Sequence, residues 1–127
     1  MTRAFKNSIL LIMNTPKKQQ DKFISDVVNH ISQSLDVEKI YLFGSRAYGT
    51  PKPDSDYDFF IVLPDDGMRP IDAMQKARTA LRPLNAMVCV DILANYKTKF
   101  NERKQHFPLE RKIHNEGVVI YDRAGNN

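Results

Sequence analysis

Residues 39–63 read Lys39-Ile40-Tyr41-Leu42-Phe43-Gly44-Ser45-Arg46-Ala47-Tyr48-Gly49-Thr50-Pro51-Lys52-Pro53-Asp54-Ser55-Asp56-Tyr57-Asp58-Phe59-Phe60-Ile61-Val62-Leu63. The short apolar run Lys39–Phe43 reads as a buried strand. A Gly44-Ser45 turn follows, and Gly49, Pro51 and Pro53 keep the next residues out of a long regular element. A second apolar run, residues 59–63, reads as another buried strand that stops at Pro64. Asp56 and Asp58 stand at the mouth of that second strand.

Strand residues two apart share a face, so Asp56 and Asp58 point one way and Tyr57 the other. Two like charges side by side repel and raise each other's pKa unless something positive lies between them. A divalent cation answers that need, and hard oxygen ligands with room for water suit Mg²⁺. The Gly44-Ser45 turn complements it. Glycine lets backbone approach a phosphate closely, and turn N–H groups with a Ser hydroxyl can bond phosphate oxygens. A helix starting near Arg46 would aim further N–H groups at the same place, and Arg46 could add a charge-assisted bond. Each part has a plainer reading when taken alone. Gly-Ser is a common turn, Asp-x-Asp before a strand is often a solvated loop end, and Arg46 could be a solvated loop arginine. Held between two apolar strands, the set points to a metal and phosphate site.

Working outward, residues 19–35 carry Phe23, Ile24, Val27, Val28, Ile31 and Leu35 at helical spacing with one buried face. His30 lies beside that face and reads as a boundary residue. Residues 1–18 give no regular signal beyond Phe5, Ile9, Leu10 and Ile12, and Pro16 ends whatever they form. Asp65-Asp66-Gly67 is a turn. Pro70–Leu81 places Ile71, Met74, Ala77 and Leu81 at helical spacing, with Pro70 suited to a first helical turn and Pro83 ending the helix. Residues 86–93 read as a third buried strand, nearly apolar on both faces, interrupted by one charge at Asp91. A buried unpaired carboxylate is costly, so Asp91 needs a reason. It either caps the following loop, pairs with an arginine, or faces Asp56 and Asp58 from a neighbouring strand. Residues 96–105 and 109–116 read as helices separated by Pro108, with Gly117 ending the second. Arg111, Lys112 and His114 read as a solvated face, residues 118–121 as a last short strand, and Gly125-Asn126-Asn127 as a frayed end. This order predicts an α/β or α+β fold, a small mixed β-sheet flanked by helices.

The 127 residues are the length of one domain, 1–127, with one core. No apolar run approaches the ~18 residues of a membrane span, and residues 9–13 are too short for a signal-peptide core. The one cysteine, Cys89, cannot close an internal disulfide. It lies in an apolar run and reads as a small core residue, which fits a reducing cytoplasm. The net charge of +4 is uneven. Residues 1–22 hold five Lys/Arg and one Asp; residues 23–94 hold seven Lys/Arg and ten acids; residues 95–127 hold seven Lys/Arg and four acids. An acidic middle between basic ends suits a metal-centred site whose flanks attract phosphates, and equally an ordinary solvated surface. The excess is too small, and too poor in interleaved aromatics, for a dedicated nucleic-acid binder.

Gly44-Ser45, ten further residues and Asp56-Tyr57-Asp58, between two apolar strands, resembles the signature of the DNA polymerase beta-type nucleotidyltransferases. The short chain resembles their minimal nucleotidyltransferase branch. The likeness is dense over residues 38–63 and thinner elsewhere. It implies a small mixed sheet with helices packed on it and transfer of a nucleoside monophosphate from a triphosphate, ATP, to an acceptor hydroxyl. It implies a third carboxylate on a strand at about the position of Asp91, so that Asp56, Asp58 and Asp91 hold two Mg²⁺ ions at an in-line displacement. Asp91 would serve the acceptor side, and Gly44 and Ser45 the leaving phosphates, with Arg46 beside them. The chain leaves no room for a polymerase's fingers and thumb or for a second acceptor-binding domain, so a second copy or a partner is expected to complete the pocket. Minimal nucleotidyltransferases of this look are often paired, as antitoxins, with HEPN-domain toxins, and some transfer AMP to a tyrosine of the toxin. A non-catalytic antitoxin that masks its partner and a homodimeric small-molecule nucleotidyltransferase are the alternatives. No residue here forms a readable code for base or acceptor.

Overall fold

The computed structural model describes residues 17–52, 54–84 and 89–125. The expectations for residues 1–16, for the start of the third strand at 86–88 and for the last two residues lie outside that range. In chain order the elements are α1 (Lys17–Ser34), β1 (Lys39–Phe43), α2 (Ser45–Tyr48), β2 (Tyr57–Leu63), α3 (Pro70–Leu81), a 3₁₀ turn (Arg82–Leu84), β3 (Val90–Tyr96), α4 (Lys97–Arg103), α5 (Pro108–Glu116) and β4 (Val118–Asp122). Among the described residues the strands form one sheet in the order β3-β2-β1-β4. β1 runs antiparallel to both β2 and β4, whereas β2 and β3 are parallel, as a connection through the α3 helix requires. The mixed α/β arrangement anticipated from the element order is the one observed.

Strand alternation divides the core in two. Ile40, Leu42, Tyr57, Phe59, Ile61 and Leu63 face one way and pack with Val27, Ile31, Ala73, Ala77 and Leu81 of α1 and α3. Tyr41, Phe43, Phe60 and Val62 face the other way and pack with Phe100 of α4 and Ile113 of α5. Asp58 shares this second face with Phe60 and Val62, because side chains alternate along β2. The helices on the second face are tied down by polar contacts. The Thr98 backbone N–H donates to Asp65 Oδ1 at 2.9 Å, and the Thr98 hydroxyl donates to Oδ2. Asp65, from the turn after β2, thus fills the place of an N-terminal cap for α4. The same bonds hold its carboxyl below the ordinary carboxylate range. Arg103 Nε donates to Glu110 Oε2 at 2.5 Å, a pair in which the Glu110 side chain is only 6% exposed. The Arg103 guanidinium also lies 4.1 Å from the Phe107 ring centroid.

Three expectations need correction. β2 begins at Tyr57 rather than Phe59, so Asp58 lies inside the ladder. β3 is an edge strand rather than one buried on both faces. Ile92 is covered, while Asp91 and Leu93, on the second face, remain exposed. Cys89 is exposed rather than a core residue, because it precedes that edge strand. An apolar run tells strand from loop but cannot tell a central strand from an edge. No described helix is long and apolar enough to cross a membrane.

Candidate active site

The sheet brings two of the anticipated carboxylates together by register. Asp58 of β2 pairs with Asp91 of β3, and Phe43 of β1 pairs with Asp58 from the other side. Partners in a parallel ladder project to the same face, so the Asp58 and Asp91 side chains stand side by side. Asp56 lies exposed two residues before Asp58, at the rim. Burial pushes the Asp58 carboxyl above its ordinary range first; the charges of Asp91 and Asp56, then a hydrogen bond with the Asp91 carboxyl, push it further. Asp58 therefore stands between the charges of Asp91 and Asp56. The three carboxylates do not form a closed cage: among the described residues no three His, Cys, Asp or Glu side chains are grouped tightly enough to enclose an ion. An all-oxygen donor set around a carboxylate crowded by two others fits a hard divalent ion.

Gly44 closes the other side of this site. Its φ of 76° and ψ of −160° lie in a region open essentially to glycine alone. A Cβ there would also run into the Asp58 carboxylate, with Cγ of Asp58 at 3.0 Å and its Cβ at 3.3 Å. The glycine thus lets the β1–α2 turn press its backbone against the carboxylate. The Gly44 carbonyl accepts the N–H groups of Ala47 at 2.9 Å and Tyr48 at 3.1 Å, which starts α2. Ser45, next in the chain after Gly44, is the first, exposed residue of α2. The first N–H groups of a helix have no partner within it, which suits a phosphate there.

Arg46 takes a different position from the one anticipated. Its guanidinium lies 4.3 Å from the centroid of the Tyr57 ring, on the sheet face opposite Asp58. Its Nη2 donates to the carbonyls of Ser55 at 3.0 Å and Lys52 at 3.4 Å, and its Nε to Ser55 at 3.3 Å. A turn in which the Lys52 N–H donates to Ser55 Oγ at 2.7 Å completes the loop. Arg46 therefore braces the loop that delivers Asp56. Replacing it with alanine should leave the fold intact, speed amide exchange over residues 50–56, and weaken metal-nucleotide binding by about tenfold as the loop that carries Asp56 loosens. Unchanged exchange in that loop would show that the brace is not needed.

Sequence reasoning passed over Lys112 as part of a solvated face. Its ammonium lies 4.7 Å from the Tyr48 ring centroid at the far end of α2, so α5 contributes a cation next to the turn. Only the sheet order, which brings α5 against β1, could have revealed it. His30 is a structural residue: Nδ1 donates to the Asp26 carbonyl at 2.8 Å.

Two solved structures share this fold. A candidate nucleotidyltransferase from Sulfolobus solfataricus superposes with a TM-score of 0.60 at 20% identity, over 98% of this chain and 96% of that one. A toxin-antitoxin structure with AMP-PNP superposes with a TM-score of 0.52 at 17% identity, over 78% of this chain and 73% of that one. No curated protein matches the chain. The family described as polymerase beta, nucleotidyltransferase matches residues 25–126, which include the glycine turn, all three carboxylates and every strand. The gapped glycine-to-carboxylate pattern, its placement on adjacent strands and this match agree, and the chain belongs to the polymerase beta nucleotidyltransferase family.

Proposed function

We propose that the protein transfers AMP from ATP to a hydroxyl of a partner protein, with Asp56, Asp58 and Asp91 as its working carboxylates. The observation that carries this reading is the Asp58–Asp91 register pair pressed against Gly44. The three carboxylates would hold Mg²⁺, two ions in the full complex, which when bound neutralises charge on the reacting phosphate. Gly44 and Ser45 bind the β- and γ-phosphates through backbone N–H groups and the Ser45 hydroxyl, and these leave as pyrophosphate when the acceptor oxygen bonds the α-phosphorus and the α–β bond breaks. Asp58, through the ion that it would hold, would place the phosphate against the turn. Asp91, exposed on the edge strand, accepts the proton of the attacking hydroxyl. Arg46 acts through the loop rather than on the nucleotide.

Two features favour a protein acceptor. Leu93 is 36% exposed on the same face as Asp91, which offers an apolar rest beside the carboxylate for an incoming side chain such as tyrosine. Phe107 and Leu109 are 45% and 44% exposed at the start of α5, where a partner could cover them. The toxin-antitoxin structure with AMP-PNP has the same fold, so the fold is compatible with a nucleotide site in such a pair. We take a HEPN-type toxin as the partner on the strength of the sequence resemblance.

The test is incubation of the purified chain with ATP, GTP, CTP or UTP, Mg²⁺ and the protein that co-purifies with it, read by intact mass. The expected result is one nucleoside monophosphate added to the partner per transfer, with ATP preferred, and none with Asp91→Asn at matched nucleotide occupancy. If a variant lacking all three carboxylates neutralises the partner as well as the parent, with no mass change, the protein acts by masking and the transfer reading fails.

A further inference from the structure

We propose that a second cavity, at the opposite end of the same sheet face, binds a compact multiply charged oxyanion of the phosphate or polycarboxylate class. The cavity is about 280 Å³ and lies under α4, α5 and the end of β4. Its lining includes Lys39, Tyr41, Lys97, Asn101, Lys104 and His114. It is separate from the carboxylate site. Val62, in its wall, lies four residues along β2 from Asp58, roughly 13 Å at the rise of a strand. Phe60 and Phe100 fill the space between.

Helical periodicity builds one wall. Lys97, Phe100, Asn101 and Lys104 follow the i, i+3, i+4, i+7 pattern, so one side of α4 carries the buried Phe100 flanked by two ammonium groups and an amide. Acids are also present, but they are occupied. Glu38 pairs with Arg123 at 3.4 Å; Asp122 pairs with Lys39 at 3.8 Å and accepts the Ala124 N–H at 2.9 Å. Lys97 and Lys104 have no ion pair among the described residues, although the charge of Lys97 helps hold Asp65 down. Burial, then the charges of Lys104 and Lys39, push the His114 imidazole below its ordinary range. Burial, then the Asp122 charge, push the Tyr41 hydroxyl up. Both therefore remain neutral at ordinary pH and can donate hydrogen bonds. Two ammonium groups, an amide, an imidazole and a phenol around one small space make a donor-rich site, and an anion relieves the crowding of its cations. The volume lies just below the range of about 300–1,000 Å³ typical for drug-sized ligands, which favours a phosphate or small polycarboxylate over a whole nucleotide.

This inference does not depend on nucleotidyl transfer, and its test avoids it. The full chain, ¹⁵N-labelled and kept in chelator without divalent cations, is titrated with inorganic phosphate, pyrophosphate or citrate at constant ionic strength, with chloride as control. Saturable shifts are expected at Lys97, Asn101, Lys104 and the His114 ring, with Gly44, Ser45 and Asp58 unmoved. The strongest ligand among the three identifies the source. Lys97→Met with Lys104→Met should weaken binding by about tenfold or more. Lys76→Met with Arg78→Met, which removes equal charge from the exposed side of α3, should leave it unchanged. Shifts that do not saturate, that chloride reproduces, that both double variants share, or that centre on Gly44 and Ser45 would overturn the proposal.

Discussion

Gly44→Ala should destabilise the protein by about 1–3 kcal/mol and abolish metal-dependent nucleotide binding. Both effects follow from the same atom. A methyl group at position 44 would sit on backbone with φ 76° and ψ −160°, and it would occupy the space of the Asp58 carboxylate. The chain can relieve the collision only by moving the turn or rotating Asp58 away, and either disrupts the site. Gly125→Ala provides the comparison. Gly125 also has a positive φ, of 79°, but a Cβ there would meet nothing within 4 Å. It should lower the melting temperature slightly and leave nucleotide binding intact. Melting curves with and without Mg²⁺ and a non-hydrolysable ATP analogue separate the two. If both variants respond to nucleotide like the parent, the close approach of Gly44 to Asp58 has no functional weight.

Asp58→Asn should stabilise the metal-free protein while removing its response to metal. Asparagine has nearly the shape of aspartate but no charge, so the packing against Gly44 is kept. In the parent, burial and the neighbouring Asp91 and Asp56 raise the Asp58 pKa above its ordinary value of 3.8. The folded state therefore holds this proton more tightly than the unfolded state does, and ionisation opposes folding. The contribution from the raised pKa is fully present below the ordinary Asp value and is lost as pH rises through the raised value. The asparagine variant has no such loss. The two stability curves should run parallel below pH 3.8 and separate above it, with the variant a few degrees higher at neutral pH. Added Mg²⁺ should then raise the melting temperature of the parent and not that of the variant. Transfer should fall more than about a hundredfold, since loss of residues that merely support a metal ligand already costs 10–100-fold. A parent that is the more stable protein at neutral pH without metal would contradict the electrostatic picture.

Much of the fold could be read from local pattern. The bounds of β1 and α3 follow from apolar runs closed by glycine and proline, and the structure places them over the same residues. The Asp58–Asp91 pairing was readable only on condition that β3 lies beside β2, which no local signal states. The corrections share a cause: the apolar run around Cys89 and β3 reads as buried because apolarity does not report a strand's place in the sheet. Arg46 could not be placed because the backbone carbonyls and the ring that it engages carry no sequence signature. The lysine-lined cavity was invisible for a stronger reason. Its walls come from β1, β2, α4, α5 and the end of β4, segments that tertiary packing alone unites. Partnered residues such as Arg103 and Glu110 read in sequence as ordinary surface charges.

The most direct test of the site is paramagnetic. Mn²⁺ replaces Mg²⁺ on the ¹⁵N-labelled chain in the presence of a non-hydrolysable ATP analogue, and line broadening is mapped along the sequence. Broadening should centre on Gly44, Ser45, Asp56, Asp58 and Asp91, leave Lys97 and His114 sharp, reverse with excess Mg²⁺, and disappear in Asp58→Asn. Broadening that centres elsewhere, or that persists in Asp58→Asn and resists Mg²⁺, would mean that these carboxylates are not the metal and nucleotide site.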